Sequence, residues 1–335
     1  MTREVRSALV IGATGGIGGE VARTLRARGW QVKALHRDPE RVKASDASFE
    51  WVAGDAMDTA SVARAADGVD VIVHGANPPG YRNWKGLALP MLESTIAAAA
   101  ASNARVLFPG TIYNFGPDAG ATVDEDAPQN PTTRKGAIRV AMERRLREAA
   151  TTGVRTLVVR AGDFFGPRTG NSWLAQGMLP TTGPVKRVFN PGGPGVGHAW
   201  AYIPDLAETM VRLLEREDDL AAFDLFNFGG NWFADNRDFA DAIRQAAGRP
   251  NAPIYRFPWP LVPVLSPFNE TFREMLEMTY LWRRPIRLID DKLRHFLGTI
   301  PETPIDVALR ATLEGLGRLS PRGARTVGGA DILAL

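Results

Sequence analysis

The chain has 335 residues, enough for roughly two domains, and a chain of this size buries about three quarters of its unfolded surface without staples. Its 44% hydrophobic, 23% charged and 8% aromatic content excludes a disordered or fibrous protein. The net charge of +3 is the small difference between 40 basic and 37 acidic residues spread along the sequence, which gives little support for nucleic-acid binding; the absence of cysteine excludes disulfides, thiolate metal sites and a cysteine nucleophile.

The opening MTREVRSALVIGATGG passes from charge directly into a short apolar run and a glycine turn, so no signal peptide is expected. The longest apolar stretches, TIAAAAASNA and WPLVPVLSPF, fall short of the roughly 20 residues that span a bilayer. The expectation is a cytoplasmic protein with neither membrane nor nucleic-acid partner. Its histidines, His36, His74, His198 and His295, lie too far apart in sequence for a metal-ligand pair, and no metal site is expected.

In chain order, SALVIG is a continuous apolar run of the kind found in a parallel strand buried on both faces. GGEVARTLRARG repeats apolar positions at helical spacing and stops at Gly29. WQVKALH, FEWVAGD, DVIVHGA, RVLFPGT and RTLVVRAG read as five further strands, most of them separated by helix-period segments. Such alternation predicts an α/β fold with a doubly wound parallel sheet, because a crossover helix joins parallel neighbours. After Gly166 the texture becomes turn-rich, as in a lid or substrate-facing region. YIPDLAETMVRLLER then reads as an amphipathic helix, FDLFNFGG as a strand returning to the sheet, and NRDFADAIRQAAGRP, FNETFREMLEMTYLW and TPIDVALRATLEGLG as further helices. The division that follows is a dinucleotide-binding domain over 1–165 with about 198–228 returning to it, a smaller C-terminal α/β substrate domain over 166–197 and 229–320, and a tail over 321–335.

The loop VIGATGGIGGEVARTL sets Gly12, Gly15 and Gly18 between the first strand and first helix. Glycine there permits positive φ, lets backbone approach a diphosphate and lets helix and strand pack closely, while the helix N-terminus presents unpaired N–H groups. Thr14, Gly16 and Ile17 complete the loop. At the end of the second strand an acidic residue would bind the ribose 2′-hydroxyl of NAD and a basic one the 2′-phosphate of NADP. Here stand His36 and Arg37, so NADP(H) is expected to be favoured, with NAD(H) the alternative; Asp38 beside them keeps open a merely solvated Arg37.

The motifs GATGGIG, AGDAMD, VIVHGAN, FPGTIYNFG, RAGDFFGP and HAWAYIPDLAETM, in this order, resemble those of the extended short-chain dehydrogenase/reductases, also called NAD-dependent epimerase/dehydratases, over roughly residues 7 to 315. The resemblance implies a Rossmann-type fold, an oxidoreductase or epimerase acting on a carbonyl or hydroxyl of a small or sugar-type substrate, and a homodimer formed through helices of the sheet domain. It further implies that Asp55 and Ala56 lie beside the adenine, that Gly75, Ala76 and Asn77 line the ribose, and that Gly162 and Asp163 approach the nicotinamide. Asp205, in the stretch that closes the sheet domain, is expected to cap its helix rather than to catalyse.

The family's catalytic triad is Ser or Thr followed by Tyr and Lys four residues apart, which one helical turn places on one face. Thr111 matches the upstream hydroxyl. Counting back from Glu143, Lys135 falls on the tyrosine position and Arg139 on the lysine position, as in an atypical branch with an eroded triad. Three readings stay open. Lys135 could itself transfer the proton, its charge disfavoured by Arg139 and by an oxidised nicotinamide. A displaced tyrosine, with Tyr113 preferred over the YxxxK pair Tyr81 and Lys85, could replace the phenol. Or the protein could bind the nucleotide as a sensor without catalysis. The cleft is expected to be lined by Thr111, Tyr113, Lys135, the Tyr81 loop and the segment around Trp173; neither a GxSxG elbow nor an HExxH helix is present.

Overall fold

The structure, a computed structural model, describes residues 5–44, 46–78, 84–267 and 270–319. The Tyr81 loop and the tail after 319 lie outside the described residues, as does the side chain of Lys85. In chain order the elements are β1 (Ser7–Ile11), α1 (Gly16–Ala27), β2 (Gln31–His36), α2 (Pro39–Lys43), β3 (Glu50–Ala53), α3 (Thr59–Ala65), β4 (Val71–His74), α4 (Trp84–Ser102) and β5 (Arg105–Thr111). There follow β6 (Thr122–Val123), α5 (Arg134–Thr151), β7 (Thr156–Ala161), β8 (Asp163–Phe165), β9 (Val188–Asn190), β10 (His198–Tyr202), α6 (Ile203–Glu215), β11 (Phe223–Phe228) and β12 (Asn231–Phe233). The chain closes with α7 (Asn236–Ala246), β13 (Ile254–Arg256), α8 (Leu261–Leu265), α9 (Glu270–Glu277), β14 (Arg287–Leu288), α10 (Asp291–Leu297) and α11 (Ile305–Gly315).

The six strands read from the apolar runs, with β11, make a seven-stranded parallel sheet in the order β11-β7-β5-β4-β1-β2-β3. Their sequences are continuously apolar because both faces are covered: every residue of β4, β5 and β7 is buried. On one face Val21, Leu25, Leu206, Met210 and Leu214 of α1 and α6 pack on the sheet; on the other, Val62, Leu92, Ile96 and Leu146 of α3, α4 and α5 do. From β1 the chain winds outward through β2 and β3 and then crosses back to β4 on the opposite side. The crevice between the C-terminal ends of β1 and β4 is therefore the topological switch point, where doubly wound folds bind their ligands.

The later segments build a second layer at that edge. β8, β10 and β12 form a three-stranded sheet, and β13 pairs with β9 and β14 with β6. A separate core, with Trp200, Phe165, Phe239 and Trp282, fills the space between them and α7 and α11. The expectation that Asp205 caps α6 is corrected here: the residue preceding the helix is Tyr202, and Pro204 occupies its first turn. The Asp205 carboxylate instead accepts the Thr303 N–H at 2.7 Å and the Thr303 hydroxyl at 2.6 Å, fastening α6 to the segment ahead of α11.

Candidate functional site

Because all seven main strands run parallel, the residues that follow them gather on one edge. Gly12 follows β1, Arg37 follows β2, Asp55 and Ala56 follow β3, Gly75, Ala76 and Asn77 follow β4, Thr111 ends β5, and Gly162 with Asp163 follows β7. Sequence separation of 150 residues is thereby reduced to one crevice.

The glycine loop is shaped by close packing. Gly12 has φ +91°, and a Cβ on it would sit 2.5 Å from the Gly75 carbonyl oxygen, at the very end of β4. A Cβ on Gly18 would lie 2.4 Å from the Gly12 carbonyl oxygen. Loop, helix and neighbouring strand thus meet with no room for a side chain, leaving Thr14 and Gly15 exposed at the surface of the turn. Gly15 precedes α1 in extended conformation and supplies no side-chain hydrogen bond to the first turn, so the N–H groups there point outward with the positive end of the helix dipole. This cradle fits a dinucleotide diphosphate. His36 turns back on its own loop: its Nδ1 accepts the Asp38 N–H at 3.0 Å and its ring meets Trp51 edge-on. Arg37 is exposed, and the Asp38 carboxylate is occupied in accepting the Arg41 N–H at the start of α2 rather than pairing with Arg37. Asp55 receives the Met57 N–H and accepts, through its backbone oxygen, the Ser61 hydroxyl, which shapes the turn after β3.

At the next strand ends lie the candidate catalytic groups. Thr111 is buried, and its Oγ1 accepts the Tyr113 N–H at 3.3 Å, capping a single 3-10 turn over Ile112–Asn114. That turn swings Tyr113 away from β5 so that its phenol donates to Asp163 Oδ1 at 3.0 Å. The other oxygen, Oδ2, pairs with His198 Nε2 at 2.8 Å. Asp163 and His198 are both buried, brought together because β8 and β10 are adjacent parallel strands. Tyr280 donates its phenol to the Phe115 carbonyl at 2.9 Å, and burial, with the Asp163 charge adding to it, pushes its pKa up.

Lys135 occupies the first turn of α5, behind the Thr133 cap, and is buried, with Nζ 6.0 Å from the centre of the Trp84 ring. A helix N-terminus disfavours a cation. Glu277 offsets this, taking Arg134 Nε at 2.9 Å and the Lys135 backbone N–H at 3.4 Å. Arg139, one turn on, lies over the rings of Trp84 and Phe108, at 5.1 and 5.5 Å. Beneath it, His74 ends β4 fully desolvated, with Nδ1 2.7 Å from Thr95 Oγ1; burial and the nearby Arg139 charge lower its pKa to about 3.

A profile of the NAD dependent epimerase/dehydratase family matches residues 8–229, two thirds of the sequence. The chain belongs to that family. It is a protein of the nicotinamide-dependent oxidoreductase/epimerase kind. Among characterised relatives, the 3-diazoavenalumate denitrifying reductase of a Streptomyces species is 32% identical over 227 residues, covering 62% of this chain and 72% of that one. Among solved structures, UDP-glucuronic acid 4-epimerase from Bacillus cereus, seen with a fluorinated UDP-sugar and NAD, superposes with a TM-score of 0.71 at 16% identity, over 92% of this chain and 98% of that one. The nucleoside-diphosphate-sugar epimerase PA4631 from Pseudomonas aeruginosa superposes at 0.68 with 19% identity, over 93% and 97%. These likenesses establish the extended short-chain dehydrogenase/reductase fold. No helix among the described residues is long and apolar enough to cross a membrane.

The sequence reading brought Thr111, Tyr113 and Asp163 to this edge, but gave Asp163 only to the nicotinamide and did not assign His198 to the site. The signal for His198 was its place at the head of HAWAYIPDLA, where a buried strand opens with a polar residue.

Proposed function

We propose that the protein is an NADP(H)-preferring oxidoreductase that reduces or oxidises a small molecule at a carbonyl or hydroxyl, with Tyr113 as its proton-transfer group. The observation that carries this reading is the Tyr113–Asp163–His198 chain, a phenol, a carboxylate and an imidazole in unbroken hydrogen-bond contact at the strand ends. A reduced nicotinamide held in this crevice would supply the hydride for a substrate carbonyl, leaving the chain's own residues to place a proton on the carbonyl oxygen. Tyr113 would give its phenolic proton to that oxygen, and His198, as an imidazolium that ends neutral, would return a proton to the phenolate through Asp163. The Thr111 hydroxyl, two residues away, holds the substrate oxygen.

The cofactor is held by Gly12, Thr14, Gly15, Gly16, Ile17 and Gly18 at the diphosphate, by Asp55 and Ala56 at the adenine, by Gly75, Ala76 and Asn77 at the ribose, and by Gly162 near the nicotinamide. The exposed Arg37 guanidinium takes the 2′-phosphate of NADP. Residues 1–165 with 198–228 carry the cofactor, and 166–197 with 229–320 close over the substrate. The reading goes with a cytoplasmic homodimer paired through sheet-domain helices, a pairing that light scattering of the purified protein measures.

The test is a calorimetric titration with NADPH and NADH, followed by a screen of carbonyl compounds for loss of reduced-nicotinamide absorbance. Tight NADPH binding with turnover supports the reading; binding with no turnover across the screen points instead to a nucleotide sensor, and no binding of either nucleotide sinks both.

A further inference from the structure

A wall of aromatic rings in the C-terminal half is unused by the proton-transfer chemistry yet runs straight to it. The Trp173 ring lies 5.0 Å from Trp282, 5.9 Å from Trp259 and 6.1 Å from Phe257, centre to centre. Trp282 in turn stacks flat on His198, with centres 3.9 Å apart and planes 7° from parallel. Trp282 is buried, whereas Trp173, Phe257 and Trp259 each keep part of their surface in solvent. The rings therefore form one unbroken series of contacts from the partly exposed Trp173, Phe257 and Trp259 to the Tyr113–Asp163–His198 chain.

The seat of Trp173 is specifically shaped. It leads into a single π-helical turn, Leu174–Met178, and a Cβ on Gly177 within that turn would lie 2.8 Å from the Trp173 ring. Turns of this type recur at functional sites. The polar end of the path is closed by hydrogen bonds. Both Asp163 oxygens are engaged by Tyr113 and His198, and no lysine or arginine among the described residues pairs with them.

We propose that the substrate is a planar aromatic carbonyl compound rather than a nucleotide sugar, its ring packed on Trp173 and Trp259 and its oxygen at Tyr113. This rests on the oxidoreductase reading and gives that site its substrate class. It departs from the UDP-sugar seen in the Bacillus cereus structure of the same fold.

The experiment is calorimetry on the full-length protein, with and without NADP⁺, using cinnamaldehyde and UDP-glucose as probes, and with NADPH turnover of cinnamaldehyde recorded separately. Cinnamaldehyde is expected to bind, UDP-glucose to give no heat of binding, and Trp259→Leu to weaken cinnamaldehyde by about two- to tenfold, the range of one ring-to-ring contact. Trp173→Leu is a second variant, and near-ultraviolet circular dichroism checks that each is folded. UDP-glucose binding to the native protein as tightly as cinnamaldehyde, no cinnamaldehyde binding at all, or unchanged cinnamaldehyde affinity in both folded tryptophan variants would overturn the inference. Cinnamaldehyde that binds but is never reduced counts against the oxidoreductase reading and leaves the substrate class standing.

Discussion

Arg160 and Glu143 form an ion pair sealed inside the protein: Nη2 and Oε2 are 2.7 Å apart, Nε also donates to the carboxylate, and neither side chain is more than 4% exposed. The pair joins β7 to α5, the helix that carries Lys135 and Arg139, and Arg160 Nη1 extends it by donating to the Glu125 carbonyl. A buried pair of this kind contributes little net stability, but removing one partner strands a desolvated charge. Glu143→Gln is therefore expected to cost about 3 kcal/mol, read as a lower denaturant midpoint with an unchanged slope. A change under about 0.5 kcal/mol would mean that water reaches Arg160.

Placing a phenol at Tyr113 rather than at the head of α5 makes a kinetic difference between two variants. Tyr113→Phe is expected to lower kcat by about 100-fold or more while nucleotide affinity holds, since a positioned proton donor contributes about 10² to 10⁴. Lys135→Met is expected to lower kcat by a smaller factor. The reverse order would transfer the proton-transfer role to Lys135.

Cofactor choice is expected to follow a single exposed charge. A charge-assisted guanidinium–phosphate contact is worth about 1.5 to 3 kcal/mol, so Arg37→Asp should reduce the NADPH to NADH affinity ratio by one to two orders of magnitude, about what that energy represents. An unchanged ratio by calorimetry would show that Arg37 is only solvated.

Gly18→Ala puts a methyl group 2.4 Å from the Gly12 carbonyl, which is backbone and has nowhere to retreat. Loss of NADPH binding is expected, together with a lower melting temperature, because α1 must move away from β1. Retained affinity would show that the loop relaxes.

His74 gives a pH dependence whose sign can be worked out. Its pKa falls from 6.5 to about 3 on folding, because burial and the Arg139 charge penalise the imidazolium. The unfolded chain thus binds a proton that the native one does not between these values, so this contribution is complete above pH 6.5 and is lost as pH falls toward 3, at about 1.4 kcal/mol per pH unit. His74→Gln is expected to flatten the fall in urea stability between pH 6 and pH 4.5 relative to the native protein. Parallel curves for the two proteins would remove His74 from the acid response.

The parallel sheet, the glycine loop and the order of site motifs were legible in the sequence, because each follows from local rules. A strand buried on both faces must be apolar throughout, a close strand-to-helix turn admits only glycine, and a parallel sheet sends every strand end to one edge. That Lys135 and Arg139 stand on the family's tyrosine and lysine positions is what the resemblance implies, counting back from Glu143. What the sequence could not show was which side chains meet across long separations. Tyr113 and Asp163 are 50 residues apart, Asp163 and His198 35, and His198 and Trp282 84, and their contacts exist only because β8 and β10 are neighbours and the 3-10 turn after Thr111 redirects the phenol. Asp205 shows the same limit: its position at a helix start favours a cap, yet Thr303, nearly a hundred residues later, offers two donors at once and takes the carboxylate. Local sequence sets which groups are available, and tertiary packing decides which of them become partners, since a buried polar atom bonds with whatever donor the fold brings within 3 Å.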